Sequence, residues 1–332
     1  MNNGFFIRHF SVRGTEVSIY EYALYNELLL HNKSFIIFLN ENKRRQLGFA
    51  QYDNILSYNK FKIRFPMIEI EDISEMKHII KQYKLDTFYT QTHGSSEDIY
   101  NFNDQNIWDG CRTIKHCVSD TRYPEGDIYM SISNHLNQIH NTSIPVVPLM
   151  TSLVETGSLT TDNLRKELNI PCDAIVLGRH GGPDTFDLPI AHESIKEFLK
   201  QNNNIYFLLM NTSPFYTHPN IIYLEPNVDI IYKTKFINTC NAMIHAGARG
   251  ETFGLAIAEF SALNKPVITC PCGNLEHIKI LGDKGIYYNS PSDLINIFYN
   301  ITHIINSKTD WNAYRDYSPR KIMDLFKTIA YN

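Results

Sequence analysis

Two glutamates, eight positions apart, carry the strongest chemical signal in this sequence. Glu251 and Glu259 lie in HAGARGETFGLAIAEFSALNKPVITC, residues 245–270. The pattern predicts a strand, then a glycine-rich turn, then an apolar helix from about residue 254 to 263. Because a helix N-terminus exposes free N–H groups and a partial positive charge, this turn suits a phosphate group.

The position of Glu259 within that helix indicates a second contact. Glu259 is five residues beyond Gly254, about 7.5 Å along a helix axis, which matches the span from a diphosphate to its ribose. Its neighbours are apolar on nearly every side, so a buried charge there needs a partner, and a carboxylate can accept both ribose hydroxyl protons. Glu251, just before the helix, would face a sugar beyond the phosphates. The alternative is that Glu251 caps the helix and Glu259 is solvated.

The elements that must position these residues alternate along the whole chain. Short β-branched and aromatic runs are followed by longer amphipathic stretches, which is typical of βαβ units and parallel sheets. We predict strands at 5–10, 34–39, 86–91, 114–119 and 127–133 in the first half, and at 174–179, 205–211, 221–224, 242–246, 266–270 and 285–288 in the second.

Prolines divide the chain into two α/β domains. A linker at about 148–172 includes a short predicted helix at 159–168, and an amphipathic helix at 318–330 closes the chain. The expected organisation is therefore a first Rossmann-like domain at 1–150, a second at 151–316 and a closing helix at 317–332.

Composition excludes several classes of protein. With 43% hydrophobic and 20% charged residues, the 332-residue chain has enough apolar surface for two ordinary cores. A formal charge of -4 disfavours a nucleic-acid partner. The N-terminus does not resemble a signal peptide and no apolar run is long enough to span a membrane, so we expect a cytoplasmic protein. Cys270 and Cys272 lack partner histidines, and we expect no metal site.

At this point the sequence resembles the retaining glycosyltransferases of the GT-B fold, in particular family four. Their hallmark is a pair of glutamates separated by seven residues with Phe-Gly between them, matched here by ETFGLAIAE at 251–259. Three further segments, which precede this one in the chain, match the family's motifs in the expected order: residues 13–17, 164–171 and 178–179. The resemblance implies two doubly wound domains facing a central cleft, with the acceptor on the first and a nucleotide-sugar donor on the second.

The resemblance also implies roles for individual residues. Gly14 would let backbone amides approach the donor diphosphate, and Arg179 would pair with the phosphates as negative charge develops on the leaving group. The family usually has a lysine shortly after that arginine, but residues 180–187 contain none. Arg249 is the nearest candidate to replace it, unless it forms a structural ion pair; the glycines at 181 and 182 could instead bring backbone N–H groups to the phosphates. The rest of the implied donor site is the turn and helix start: Thr252, Phe253, Gly254 and Leu255.

A histidine of the first domain is expected at the reacting face. His93 and His116 both follow the pattern of a strand end, and we prefer His116, which would reach the carboxyl edge of the sheet where doubly wound folds bind ligands. A histidine in such a place is also commonly structural, so neither position is excluded.

The resemblance implies a hexosyltransferase-like enzyme of glycan biosynthesis. It would move a sugar from a nucleotide-diphosphate donor to a glycan, lipid-linked or protein acceptor, with retention of configuration and without a cofactor or metal ion. No Asp-x-Asp metal pair is present. The alternatives are a nucleotide-sugar epimerase of the same fold, a phosphorylase-like enzyme, for which the chain is short, and a non-catalytic sugar-nucleotide binder.

Overall fold

Parallel pairing of strands dominates both halves of the chain. The computed structural model describes residues 1–96, 98–153, 161–202, 204–307 and 309–331. Its internal contacts divide the chain into two units: Met1–Met150 together with the stretch from Pro319 onwards, and Thr151–Ser318. Each unit contains a six-stranded sheet in which every pair of neighbouring strands is parallel.

The sheet of the first unit has the strand order β3-β2-β1-β4-β5-β6. Its strands are β1 (Asn2–Ile7), β2 (Lys33–Leu39), β3 (Met67–Ile70), β4 (Thr87–Thr92), β5 (Arg112–Cys117) and β6 (Ile128–Ser131). The helices are α1 (Gly14–Leu28), α2 (Glu41–Gln46), α3 (Ile55–Arg64), α4 (Met76–Tyr83), α5 (Gln105–Trp108), α6 (Asn134–His140) and the C-terminal α12 (Pro319–Ala330).

The sheet of the second unit has the order β14-β12-β10-β7-β8-β9, and a separate two-stranded sheet pairs β11 with β13. Its strands are β7 (Ile175–His180), β8 (Ile205–Met210), β9 (Ile221–Leu224), β10 (Ala242–Ile244), β11 (Gly250–Glu251), β12 (Val267–Thr269), β13 (Asn274–Leu275) and β14 (Gly285–Tyr287). The helices are α7 (Pro189–Leu199), α8 (Ile230–Thr239), α9 (Leu255–Ala262), α10 (Glu276–Leu281) and α11 (Pro291–Asn306).

Burial on both faces explains why the strands read as continuous apolar runs. In β2 every residue after the first is buried, and β8 is buried at all positions but one. Parallel strands covered by helices have no solvated face, so their sequence does not alternate. The predicted fold class, two Rossmann-like α/β domains, is confirmed.

The C-terminal helix α12 packs within the first unit. The ring of Phe326 lies 5.2 Å from that of Tyr22 on α1, centroid to centroid. Just beyond the helix, the Tyr331 hydroxyl is bonded to the Asn3 side chain of β1. The predicted amphipathic helix at 318–330 therefore covers α1 and the adjoining sheet.

Three local predictions differ from the structure. The first strand is Asn2–Ile7 rather than 5–10, because the buried polar residue Asn3 bonds to Asn26 and Tyr331 instead of breaking the strand. Strand β3 was not predicted, since its exposed glutamate and preceding proline disguise a short strand. No helix forms at residues 161–168, which make a turn, and residues 159–160 lie outside the described part of the chain.

Gly178 of β7 lies where helix residues of the second unit closely approach the large sheet of that unit. A methyl group on Gly178 of β7 would lie 2.1 Å from Cys240 Sγ and 3.2 Å from the ring of Phe260. Gly178→Ala should therefore lower the free energy of unfolding by about 1 to 3 kcal/mol through overpacking. Urea denaturation measures this loss.

The matched control is Gly14→Ala, at the exposed first residue of α1, where a methyl group meets nothing within 4 Å. Its stability should stay level or rise by up to about 1 kcal/mol because alanine restricts the unfolded chain. Equal losses in both variants would contradict the packing described for β7.

Candidate active site

The order of the second sheet reverses between β7 and β10. From β7 the chain continues outward through β8 and β9, then returns to place β10 on the other side of β7. The connections that leave the carboxyl ends of these two neighbours therefore diverge, which opens the crevice where doubly wound folds bind ligands. Arg179 and His180 end β7, and His245 follows β10 directly.

Helix α9 begins at this edge with no side chain capping its N-terminus. Gly254 precedes it in the left-handed region, at φ 85°, a conformation that favours glycine. Phe253 is buried and its carbonyl accepts a hydrogen bond from Tyr314 Oη at 2.8 Å, while Thr252 and Leu255 are partly exposed. The turn therefore presents backbone N–H groups and the positive end of the helix dipole.

Glu251 lies on β11, just before this turn, and is partly open to solvent. Its side chain is 36% exposed, and Oε1 lies 3.3 Å from His245 Nε2. The other ring nitrogen of His245, Nδ1, is 2.8 Å from the Thr269 hydroxyl. His245 was not among the predicted site residues; its position at a strand end beside a glycine turn was the available signal.

Glu259 lies on the buried side of α9 with both carboxylate oxygens already in contact with protein. Lys233 Nζ donates to Oε1 at 2.7 Å, and His180 Nε2 is 2.9 Å from Oε2. Burial by itself raises the pKa of Glu259, but Lys233 and His180 outweigh it and hold that pKa at about 2. Burial lowers the pKa of His180, and Lys233 Nζ, 2.7 Å from Oε1, is the nearer cationic group.

Arg179 is buried and holds two loops together. Nη1 donates to the Asn211 carbonyl at 3.0 Å and to the Thr212 hydroxyl, and Nη2 donates to the Gly182 carbonyl at 2.7 Å and to Thr185. Burial lowers the pKa of Arg179 to about 10, so it stays charged at neutral pH. Its guanidinium thus places a buried positive charge at the carboxyl end of β7. The terminal nitrogens of that group are bound to protein oxygens.

Arg249 differs from Arg179 in being exposed. Its carbonyl accepts a hydrogen bond from Asn274 N at 2.8 Å, which fixes the backbone beside β11. Among the described residues, none forms a hydrogen bond or ion pair with its guanidinium. Arg249 is therefore a cation open to a ligand. It lies four residues after His245, in the turn that follows β10.

The remaining predicted residues belong to the first unit. Gly14 starts α1 and is exposed. His116 is fully buried in β5: Nδ1 pairs with the Tyr89 hydroxyl at 2.9 Å and Nε2 with the Val147 carbonyl at 2.8 Å. Burial lowers the pKa of His116 to about 4. His93 is exposed at the end of β4.

The structure thus brings five predicted donor-site residues to one turn, Glu251 to Leu255, and places Arg249 beside it and Glu259 one helical turn further on. It adds Lys233, His180 and His245, which were not among the predicted site residues. Among the described residues, no group of three or more histidine, cysteine, aspartate or glutamate side chains is arranged to hold a metal ion. In the same part of the chain, no helix has the length and apolar character needed to cross a membrane.

Comparison with solved structures identifies the fold. HepE of Anabaena, in complex with UDP-glucose, matches with a TM-score of 0.74 at 13% identity over 100% of both chains. A glycosyltransferase from Rickettsia africae matches with a TM-score of 0.72 at 16% identity over 100% of this chain and 99% of that one. The UDP-GlcNAc 2-epimerase of Neisseria meningitidis, bound to UDP-GlcNAc, gives 0.58 at 11% identity, covering 98% and 99%.

These likenesses establish the GT-B fold and, at such low identity, no more than the fold. No protein-family model matches the chain. No curated protein matches it either. Membership of family four therefore stays a prediction.

The Lys233–Glu259 pair gives a prediction about stability. Lys233→Met leaves a buried carboxylate without its cation and should cost about 3 to 5 kcal/mol of unfolding free energy. Adding Glu259→Gln should recover most of that loss, because the buried charge is gone. Urea denaturation at pH 7 of the single and double variants measures both effects.

The matched control is Lys235→Met on the same helix, whose exposed pair with Asp162 should contribute less than about 1 kcal/mol. Because the pKa of Glu259 lies below its ordinary value of 4.5, its ionic contribution is present above that pH and lost as the pH falls towards 2. The stability gap between wild type and Glu259→Gln should narrow over that range. A pH-independent gap would contradict an ionic role.

Proposed function

We propose that this protein is a glycosyltransferase that uses a nucleotide-diphosphate sugar as donor. One observation carries the proposal: at the switch point of the second sheet, the uncapped N-terminus of α9 lies directly beside the half-open carboxylate of Glu251. A helix N-terminus suits a diphosphate, and an adjacent carboxylate suits the hydroxyls of the attached sugar. Similar folds that bind UDP-glucose support a uridine nucleotide as the first donor to test.

Each donor group has a proposed partner. The diphosphate would lie on the backbone from Thr252 to Leu255, with Arg249 as the exposed cation that replaces the family's lysine. Glu259 would hold the ribose. Its oxygens already contact Lys233 and His180, so ribose hydroxyls would have to share or displace those contacts.

The chemical step needs no base from the protein. The acceptor oxygen forms a bond to the anomeric carbon, the bond from that carbon to the phosphate oxygen breaks, and the acceptor proton passes to the leaving phosphate on the same face. This yields retention of configuration. The charge of Arg179, fixed beneath the end of β7, would stabilise the negative charge that develops on the phosphate.

Two predicted residues are left out of this mechanism. His116 would have to break hydrogen bonds at both ring nitrogens to reach a ligand, so its catalytic role stays a prediction. Gly14 lies in the other unit, and its predicted approach to the diphosphate stays a prediction as well.

An epimerase is the second candidate, because an epimerase that binds UDP-GlcNAc shares the fold. The two activities differ in products. A transferase releases nucleotide diphosphate together with a new glycoside, or a free sugar when water is the acceptor. An epimerase that keeps its product bound to the nucleotide leaves an isomeric nucleotide sugar. Proton NMR of a donor panel incubated with the protein separates these outcomes, and binding without turnover would identify a non-catalytic binder.

The two glutamates should differ when mutated. Glu259→Ala should weaken binding of the bare nucleotide diphosphate by about 1.5 to 3 kcal/mol and raise the donor KM, because a charged hydrogen bond is lost in ground and transition states alike. Glu251→Ala should leave that affinity nearly unchanged and lower kcat, since its contacts require the sugar. Calorimetry with the nucleotide diphosphate and donor kinetics test both variants. If both bind the nucleotide as tightly as wild type does, the proposed donor site at α9 is wrong.

Metal dependence and stereochemistry form the next prediction. Transfer or donor hydrolysis should continue in excess EDTA, because the donor partners named above are backbone amides, cations and carboxylates that form no metal cluster. The first product should keep the donor's anomeric configuration, read by NMR before mutarotation. Complete loss of activity in EDTA with recovery in Mn²⁺, or an inverted product, would contradict the proposed mechanism.

A further inference from the structure

His245 joins a buried hydroxyl to the carboxylate at the donor site. It is the first residue after β10 and is itself buried. Its Nε2 lies 3.3 Å from Glu251 Oε1, and its Nδ1 lies 2.8 Å from Thr269 Oγ1. A chain of hydrogen bonds thus runs from the buried Thr269 of β12, through the imidazole of His245, to the partly exposed carboxylate of Glu251.

Thr269 is the inner end of this chain of hydrogen bonds. It is fully buried at the end of β12, and its carbonyl accepts from Tyr288 N at 3.1 Å. A carboxylate accepts only, so Nε2 must carry the proton that faces Glu251. In the neutral ring Nδ1 then accepts from the threonine hydroxyl. Glu251 therefore sets the Nε2–H tautomer, and the threonine hydroxyl, which can donate or accept, matches it by donating to Nδ1.

The surroundings hold the imidazole in this place. The Tyr288 hydroxyl donates to the His245 carbonyl at 2.9 Å. The ring of His277 packs edge-on at 5.2 Å, centroid to centroid. A methyl group on Gly247 would lie 3.1 Å from His245 Nε2, so the next turn of chain also closes over the ring. Tyr288 thus fixes the backbone of His245, while His277 and the turn at Gly247 pack against its ring, with Nε2 facing Glu251.

We propose that His245 is a positioning residue: it fixes Oε1 of Glu251 so that Oε2 is presented to the donor sugar. This inference rests on the proposed function, because it assigns Glu251 to the sugar. Orienting a carboxylate through a second residue leaves bare nucleotide binding untouched and acts only when the sugar is in place.

The test compares variants of His245 with variants of its buried partner Thr269. His245→Ala should lower kcat for donor hydrolysis or transfer about 10- to 100-fold, the equivalent of one hydrogen bond to a charged group, with donor KM and nucleotide diphosphate affinity within twofold of wild type. His245→Gln, whose amide nitrogen can reach the place of Nε2, should recover most of that loss. Thr269→Val should reduce kcat, and its matched control Thr269→Ser, which keeps the hydroxyl, should behave like wild type.

A second measurement is independent of activity. Long-range ¹H–¹⁵N NMR spectra of the histidines, assigned by the loss of one set of signals in His245→Gln, should show the Nε2-protonated tautomer in wild type and in Thr269→Ser. Glu251→Ala, which removes the acceptor that faces Nε2, should shift the population towards Nδ1–H, with Thr269 Oγ1 as the new acceptor. Thermal unfolding of each variant checks that it folds, and if His245→Ala does not, His245→Gln and the Thr269 pair decide the question.

The outcomes separate the two proposals. Wild-type protein that neither binds nor turns over any nucleotide sugar overturns the proposed function and the positioning role with it. An active wild type with unchanged kcat in His245→Ala and Thr269→Val overturns only the positioning role. Loss of nucleotide affinity in a folded His245→Ala would instead make His245 a direct phosphate contact, which also overturns it.

Discussion

The exclusively parallel pairing in the two large sheets is the constraint on which the rest of the structure depends. Parallel strands place all their carboxyl ends at one edge, and a crossover helix must return the chain each time. In the second unit the chain leaves β7 towards β8 and β9, and then crosses back to form β10 on the other side of β7. Residues distant in sequence, Arg179 and His245, thereby end on neighbouring strands.

Charged groups near this edge are stabilised by fixed partners before any ligand binds. Arg179 binds loop carbonyls and hydroxyls, and Glu259 pairs with Lys233. Burying an unpaired charge would be far more costly than forming these contacts. Two kinds of charged group therefore meet here: buried ions that already contact protein partners, and the partly exposed Glu251 with the exposed Arg249.

Much of the fold was predictable because local pattern and tertiary environment agree. The strands at 205–210 and 221–224 are apolar runs between turn residues, and their bounds were predicted to within a residue. Where a strand depends on distant partners, prediction failed. The amide nitrogen of Asn3 donates to Asn26 and Tyr331 inside the protein, and neither contact is visible in the residues that flank it.

The sequence by itself determined that Glu259 lies about 7.5 Å along the axis of α9 from Gly254, since five residues of helix fix that distance, and that Glu251 precedes the same glycine turn. It also determined the two parallel α/β units through the alternation of apolar and amphipathic runs. Only the tertiary structure decided which side chains meet those glutamates. Lys233 is 26 residues from Glu259, and Thr269 is 24 from His245. Such contacts exist because β7, β10 and β12 lie side by side, and strand order is set by the packing of the whole sheet rather than by any local segment.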